Sequence, residues 1–566
     1  MIYYNFFKNF FLRHEIRKTF FIFILMLIAM VLETFSIGAL VPLFTIFSEP
    51  EAFNKYNFLT NYDQSDLILY FTLVIFLVFT FKTIFLAFLT RLQANFSYAV
   101  MARVSATLFE FYSSPEYSLS SKKDSSQTIR NIIREPAFMV GGILLPLFTI
   151  LTEVFIIIGI IVLLFIYSPA ATAYVLIFLI ISTLMLLGYT RPKLRGLGEE
   201  VQKHESKRIK QVTYSLSGAK DLVLADIKLV FLNFFKSYTH IATTNLAKQA
   251  FYKQIARTLL EYFSIIAICG LIIFLLLTGT APAKILSLVG IYLVAFFRIL
   301  PAANKIIVNL NTLSFNNATL TLLSKELQKS KDQSIANIQM ETLKEESLED
   351  WTQLVINNIT FSHEESLDEI FTDFSLNINK NDFCAITGPS GSGKSTLVDI
   401  VLGLLRPQKG SVMTISDLVR KDGFCIPNKQ VAYVPQKTFL LDESILANVA
   451  LQDYFEDKID LDRLDFAIKV SCLEDLISEL PNGINHEVGE EGIALSGGQV
   501  QRIGIARAIY RKPYFLILDE ATSALDIENE DKIMNNFLTM KGNITLLFIS
   551  HSENILKYFD NRIKIG

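Results

Sequence analysis

Charge is scarce in this sequence. Of its 566 residues 19% are charged and 51% hydrophobic, whereas soluble domains run nearer a quarter charged. That balance excludes a disordered chain, which needs low hydrophobicity, and argues against a wholly soluble enzyme. Neither sign of charge predominates. The 52 Lys and Arg face 55 Asp and Glu for a net of −3, so no basic excess points to nucleic acid. Cysteine is nearly missing too. Cys269, Cys384, Cys425 and Cys472 are scattered, without a CxxC pair or metal-ligand spacing, as expected of reduced thiols in an intracellular or membrane setting. A cleavable leader is also lacking: residues 2–18 mix Phe and Tyr with bases and no small-residue cleavage site follows, a pattern closer to an interfacial amphipathic helix.

What the chain has in excess is long apolar runs, all between residues 19 and 310. Six candidate membrane spans cover 19–46, 67–90, 138–167, 170–189, 257–279 and 284–307, each near or above the ~20 residues that cross hydrocarbon. Spans three and four are joined only by Ser168-Pro169, and spans five and six by TGTAPA, both tight turns. Lys and Arg crowd the N-terminus and the segments after spans two and four, while the loop 48–66 has one Lys and four acids. The N-terminus, the two long connections and the C-terminal region therefore face the cytoplasm. Residues 91–137 and 190–256 are polar with recurring apolar positions. They read either as ordinary loops or, preferably at such length, as helical extensions that each turn once, near Ser113–Ser126 and near Ser217–Lys228. The predicted organisation is a membrane domain over 1–317, a polar, acidic linker over 318–350 and a soluble domain over 351–566.

The soluble part carries phosphate-handling motifs. CAITGPSGSGKSTLVDIVLGLL is an apolar strand, a glycine loop and an apolar-periodic helix. Gly388, Pro389, Ser390, Gly391, Ser392, Gly393, Lys394 and Ser395 fit G-x-x-x-x-G-K-S, and Thr396 follows. Backbone N–H groups of such a loop curl around phosphate oxygens at the positive end of a helix, Lys394 can reach the β/γ-phosphates, and the Ser395 hydroxyl can ligate Mg²⁺. A second apolar strand ends in Asp519-Glu520. The Asp is placed to hold Mg²⁺ through water and the Glu to polarise an attacking water. LSGGQVQRIGIARAI, residues 495–509, is another glycine-led helix start, and one nucleotide does not need two cradles in one domain.

At this point residues 354–566 resemble the nucleotide-binding domain of ABC transporters, with ATP and Mg²⁺ as the implied ligands. In that family Ser496, Gly497, Gly498 and Gln499 correspond to the signature that caps the γ-phosphate held by a partner subunit. The resemblance also implies that Gln436 is the glutamine touching Mg²⁺, that Ser523-Ala524-Leu525-Asp526 is the D-loop, and that His551 is the switch histidine beside the catalytic Glu520. HEVGEEG, residues 486–492, is similar to the exporter segment that meets the coupling helices. His363 stands where the family places an aromatic that stacks on adenine, and the chain ends at Gly566 without the C-terminal extension of many relatives.

Six spans ahead of one such domain resemble half-size ABC exporters. The implied fold is a polytopic α-helical membrane domain of the type IV (type I exporter-like) kind fused to an α/β P-loop domain, acting as a homodimer with two equivalent hydrolysing sites. Lys82 and Arg298 lie at similar depth, ~22 Å from the outer ends of their spans at 1.5 Å per residue. Lys305 shares a helix face with Arg298, and Arg257 opens span five. Ionisable groups inside spans are functional candidates, and four such cations suit a phosphate or diphosphate head group. The plainer alternative is local pairing: Arg257 with Glu261 at i,i+4, Lys305 at the interface, and Glu33 and Glu153 as partners across helices. ETFSIGALVPLF and FFRILPAANKI resemble the bacterial lipid-linked oligosaccharide flippases of the PglK type. That resemblance implies ATP-driven transfer of a polyprenyl-diphosphate glycan across a bacterial inner membrane, with a short external helix in the loop 48–66. A lipid-A or multidrug exporter, and from another class an ATP-gated channel or regulator, are the competing expectations.

Overall fold

The computed structural model describes residues 11–40, 64–114, 125–277, 282–344, 350–362, 369–389, 391–416, 420–422, 426, 430–489, 492–493, 495–559 and 561–565. They fall into two compact units, Met1–Ile335 and Ala336–Gly566.

The described residues of the first unit are helices and the short turns between them. Its elements are α1 (Arg13–Gly38), α2 (Gln64–Tyr112), α3 (Ser126–Tyr167), α4 (Pro169–Ser217), a short α5 (Ala219–Leu224), α6 (Lys228–Leu277), α7 (Pro282–Phe315) and α8 (Asn317–Lys344). Among the described residues six helices, α1 to α4, α6 and α7, are long and apolar enough to cross a membrane. The chain is thus a multi-pass membrane protein. Residues 41–63, which include most of the loop 48–66, and residues 1–10 lie outside the described residues, so the expected external helix and most of the expected interfacial one do too.

Helix length shows what the polar connections do. The 49 residues of α2 and of α4 each run ~74 Å at 1.5 Å per residue, more than twice the ~30 Å of hydrocarbon. The polar segments after spans two and four are therefore continuations of the spans. The second turns back through Gly218, α5 and Asp226, whose φ is +52°; the first breaks after Tyr112, and residues 115–124 of that turn lie outside the described residues. Two wide π turns interrupt α3 at Arg130–Arg134 and Val140–Leu144. Pro136 and Pro146 follow them, and a proline ring needs room where the i−4 carbonyl would sit.

Small residues bring the helices together. A Cβ on Gly198 of α4 would lie 1.9 Å from the Phe315 carbonyl oxygen of α7, and one on Gly159 of α3 would lie 2.2 Å from Thr34 Oγ1 of α1. The stretch read as a polar linker begins instead as α8. Its Leu320, Leu323 and Leu327 recur at helical spacing and are buried with Val104 and Leu108 of α2 and Met139 of α3. Tyr112 reinforces this contact, donating to Glu326 Oε2 at 2.9 Å and accepting from Asn131 at 2.8 Å.

The second unit contains two sheets. An antiparallel sheet has the order β2-β1-β4-β5, from β1 (Trp351–Phe361), β2 (Phe371–Asn379), β4 (Lys409–Ser416) and β5 (Arg420–Asp422). A parallel sheet has the order β6-β7-β8-β3-β9, from β3 (Phe383–Thr387), β6 (Val431–Val434), β7 (Phe515–Asp519), β8 (Thr545–Ile549) and β9 (Asn561–Lys564). All five residues of β7 and of β8 are buried, as expected of continuous apolar strands covered on both faces. Trp351 is fully buried and meets Phe515 edge-on at 5.8 Å, joining the two sheets in one core. The order of the parallel sheet places the C-terminal ends of β3, β7 and β8 side by side, where α/β folds bind ligands.

Candidate functional site

The glycine loop leaves β3 at Gly388 and enters a helix, α9 (Lys394–Val401). Gly391 and Gly393 have φ of +83° and +92°, and a Cβ on Gly393 would come within 2.4 Å of Ile370; both backbone shape and space require glycine there. Lys394 is buried, and its Nζ donates to the carbonyl oxygens of Gly388 at 2.9 Å and Pro389 at 2.8 Å. The lysine thus closes the loop on itself. Ser392 Oγ is buried without a partner among the described residues, in a loop whose backbone shape suits an anion. A phosphate oxygen satisfies both features, so the cradle fits the nucleotide read from the sequence. Ser390 and His363 lie outside the described residues; Thr396 falls in the first turn of α9.

The metal-side residues come from the parallel sheet and from the first turn of α9. Asp519 ends β7, and its Oδ2 accepts from Ser395 Oγ at 2.9 Å and from Tyr433 Oη at 3.3 Å. Burial pushes the Asp519 carboxyl above the usual range, and the hydrogen bonds from Ser395 and Tyr433 oppose that shift. Burial first, then the charge of Asp519, likewise pushes the Tyr433 phenol upward. A buried carboxylate whose charge is that poorly solvated is a place for a cation, and Ser395 beside it supplies a second oxygen.

Glu520 follows at the strand end in a left-handed backbone conformation, φ +48°, with its N–H on the Ile549 carbonyl at 3.1 Å. Such a conformation is uncommon for a non-glycine residue and turns the side chain out of the strand line. Gln436, just after β6, donates to Glu520 Oε2 at 2.7 Å. His551, just after β8, places Nε2 3.3 Å from Glu520 Oε1. Gln436 and His551, from two strand ends, therefore meet on the carboxylate at a third, and the loop, Asp519 and Ser395 stand beside them.

The signature residues are occupied differently. Ser496 caps α10 (Gly497–Tyr510): its Oγ accepts from the Gln499 N–H at 3.3 Å while its own N–H donates to Gln499 Oε1 at 2.8 Å, a reciprocal capping box. A Cβ on Gly498 would stand 2.8 Å from the Ala524 carbonyl oxygen. Gln501 completes this contact, donating to Ser523 Oγ at 3.1 Å and accepting from the Ala524 N–H at 2.9 Å. The signature thus packs on its own D-loop, and among the described residues no hydrogen bond joins it to Gly388–Thr396.

Tyr433, Gln501 and Arg507 are residues that sequence reasoning missed. Arg507 donates to the carbonyls of Asn448 and Phe439, both at 2.8 Å, and to Asn448 Oδ1 at 3.1 Å, tying α10 to the segment after Gln436. Their partners lie far along the chain, and no local spacing signals such contacts; only the place of Gln501 and Arg507 within 495–509 could have drawn attention to them.

In the first unit five ionisable residues of the spans form one cluster. Lys82 Nζ of α2 lies 3.2 Å from Glu33 Oε1 and 3.4 Å from Ser36 Oγ of α1. Arg298 of α7 pairs with the same Glu33 oxygen and, at 3.1 Å, with Glu153 Oε2 of α3. Lys305 Nζ lies 2.6 Å from Glu153 Oε1. The structure thus brings Lys82, Arg298 and Lys305 together but gives them carboxylate partners. Arg257 does not join them: it pairs with Glu261 at 2.9 Å, one turn along its own helix, with both side chains exposed. The expected gathering of four cations is corrected to three, because the i,i+4 partner satisfies Arg257 locally.

Residues 371–523 match the family model described as ABC transporter, whose ATPase unit takes ATP with Mg²⁺ as its usual ion. The ATP-dependent lipid A-core flippase of Cupriavidus metallidurans is 35% identical over 207 residues, 37% of this chain and 35% of that protein. The leukotoxin translocation ATP-binding protein LktB of Mannheimia glucosida is 39% identical over 214 residues, 37% of this chain and 29% of that protein. The chain spans about a third of the length of the curated relatives it matches. The solved structure of a bacterial Atm1-family ABC exporter with ATP bound superposes with a TM-score of 0.72 at 18% identity, covering 97% of this chain and 93% of that one. The fold is that of an ABC exporter: a helical membrane domain joined to an ABC nucleotide-binding domain.

Proposed function

We propose that this protein is an ATP-driven exporter that works as a homodimer in a bacterial inner membrane and moves a lipid with an anionic head group, specifically a polyprenyl-diphosphate-linked oligosaccharide, from the cytoplasmic to the periplasmic leaflet. The observation that carries the ATPase reading is the meeting of Gln436 and His551 on Glu520 beside the glycine loop, in a chain with six membrane-length helices. ATP supplies phosphoanhydride free energy, and Mg²⁺ the charge that offsets its phosphates.

The chain's own residues divide the work. Lys394 exchanges the carbonyls of Gly388 and Pro389 for phosphate oxygens, a stronger charge-assisted contact. Ser395 and Asp519 would hold the cation. Glu520 accepts the proton of a water, and Gln436 and His551 keep that carboxylate aimed. Because Ser496–Gln499 is engaged with its own D-loop rather than its own glycine loop, the signature is available to a second copy. That supports the dimer and two equivalent sites.

Lys82, Arg298 and Lys305, linked through Glu33 and Glu153, support an anionic head group as cargo. A second reading, a lipid exporter for another head group or a multidrug exporter, draws on the relative named a lipid A-core flippase. ATPase activity and leaflet transfer of a labelled lipid-linked oligosaccharide in proteoliposomes test both. ATP-dependent transfer of that lipid is expected, and ATPase activity with transfer only of other lipids favours the second reading.

A further inference from the structure

Glu33 and Glu153 are buried, with side-chain exposures of 1% and 5%, whereas Arg298 and Lys305 are 21% and 53% exposed. The anions lie behind the cations, so a ligand approaching from the open side meets Lys305 and Arg298 first. Glu33 is poorly satisfied. Its Oε1 takes both Lys82 and Arg298, and its Oε2 is buried without a partner among the described residues. A carboxylate so deprived of donors depends on its two cations. The cations depend less on it, since lysine and arginine keep further N–H donors that no described acceptor takes. Three basic side chains face two carboxyl side chains, and that imbalance leaves a place for one more anion.

An apolar groove adjoins the cluster. On α7, Arg298 and Lys305 share one face, and Ile299, Ala303 and Ile306 share the next. The latter three line a cavity of about 310 Å³ together with Ile157 and Ile161 of α3 and Leu176 of α4. On α3, Ile157 is one turn beyond Glu153, so the cavity begins where the ionic cluster ends.

We propose that Glu33 and Glu153 are resident counter-anions, which hold Lys82, Arg298 and Lys305 until the phosphate head of a lipid displaces them, and that the adjoining groove takes that lipid's chain. This rests on the exporter reading and adds to it a specificity device: a neutral lipid cannot compete for the cations, and an anionic one can. The carboxylates would then disfavour premature closing of the cluster on weakly charged molecules.

The test is binding of fluorescent phosphatidic acid, and of diacylglycerol with the same chains, to the full-length protein in phosphatidylcholine nanodiscs. Glu33→Gln and Glu153→Gln keep side-chain size and remove the competing charge. Each is expected to tighten phosphatidic acid about tenfold, near the worth of one charge-assisted hydrogen bond, with diacylglycerol unchanged. Glu153→Asp keeps the charge and should bind as wild type. Ala303→Phe fills the groove and should weaken both lipids. A monodisperse size-exclusion profile like that of wild type certifies folding of each variant. Unchanged or weaker phosphatidic acid binding in both Gln variants overturns the counter-anion assignment, as does equal tightening of the neutral lipid. Those outcomes leave an active ATPase and the exporter reading intact, whereas a wild-type protein without ATPase activity removes the exporter reading itself.

Discussion

Gln436 donates to Glu520 Oε2 at 2.7 Å, although 84 residues separate the two in the chain. The bond links the end of an edge strand to the end of its neighbour, and His551 reaches the other oxygen of the same carboxylate. The carboxylate is thereby held on both sides, and its aim depends on the sheet rather than on its own loop.

Glu520→Gln should retain ATP binding and lose turnover. Loss of a positioned base lowers rates by ~10²–10⁴-fold. Nucleotide binding and ATPase rate measured on the same preparation check this, and near-wild-type turnover in the variant would contradict the assignment of the base.

The signature–D-loop contact within one chain predicts complementation between chains. Lys394→Ala and Ser496→Arg are each expected to be inactive. Co-expressed, they form mixed dimers in which one composite site carries both changes and the other carries neither, so activity returns. The model fails if the purified mixed dimer hydrolyses no ATP, or if dilution to monomer raises the rate.

Asp519 makes a pH prediction. Burial raises its folded-state pKa above the usual carboxylate value. A raised folded pKa means that stability from this group is full below the unfolded pKa and is lost as pH rises through the folded one. Ionising this buried carboxyl as pH rises therefore costs the nucleotide-free protein stability. Asp519→Asn should raise its melting temperature at neutral pH, with the gain shrinking toward acid pH, and should abolish the added stabilisation by Mg²⁺–nucleotide. Melting curves across pH, with and without Mg²⁺–ATP, read both effects; a lower neutral-pH melting temperature in the variant would count against the charge penalty.

Arg507→Met should destabilise the nucleotide-binding domain. The guanidinium serves Asn448 and Phe439, and the carbonyl of the buried Asn448 left without its donor costs about 1–3 kcal/mol. A drop of several degrees in the domain's melting transition is expected, alongside weaker response of ATPase activity to changes at Gln436. An unchanged transition would show that water replaces the guanidinium.

Local pattern alone was enough for several features. The apolar runs account for the membrane-length helices, because a span needs only composition and length. The glycines, Lys394 and Ser395 are legible because a phosphate cradle is built from consecutive residues, and FLILD and TLLFI read as buried strands by their unbroken apolar character. The ends of α2 and α4 were legible from recurring apolar positions, but the leucines of α8 were hidden in a polar stretch whose packing face appears only against α2 and α3.

Pairing across distance was decided by the tertiary structure. Arg257 and Glu261 could be matched from their i,i+4 spacing, but Glu33 with Lys82 and Arg298, or Glu153 with Arg298 and Lys305, depend on which helix faces meet. The same holds for Tyr433 on Asp519, Gln501 on the D-loop and Gln436 on Glu520. A sequence states which charges and donors exist; Coulomb and hydrogen-bond energies fall off within a few ångströms, so the partner of each is determined only when packing sets those distances.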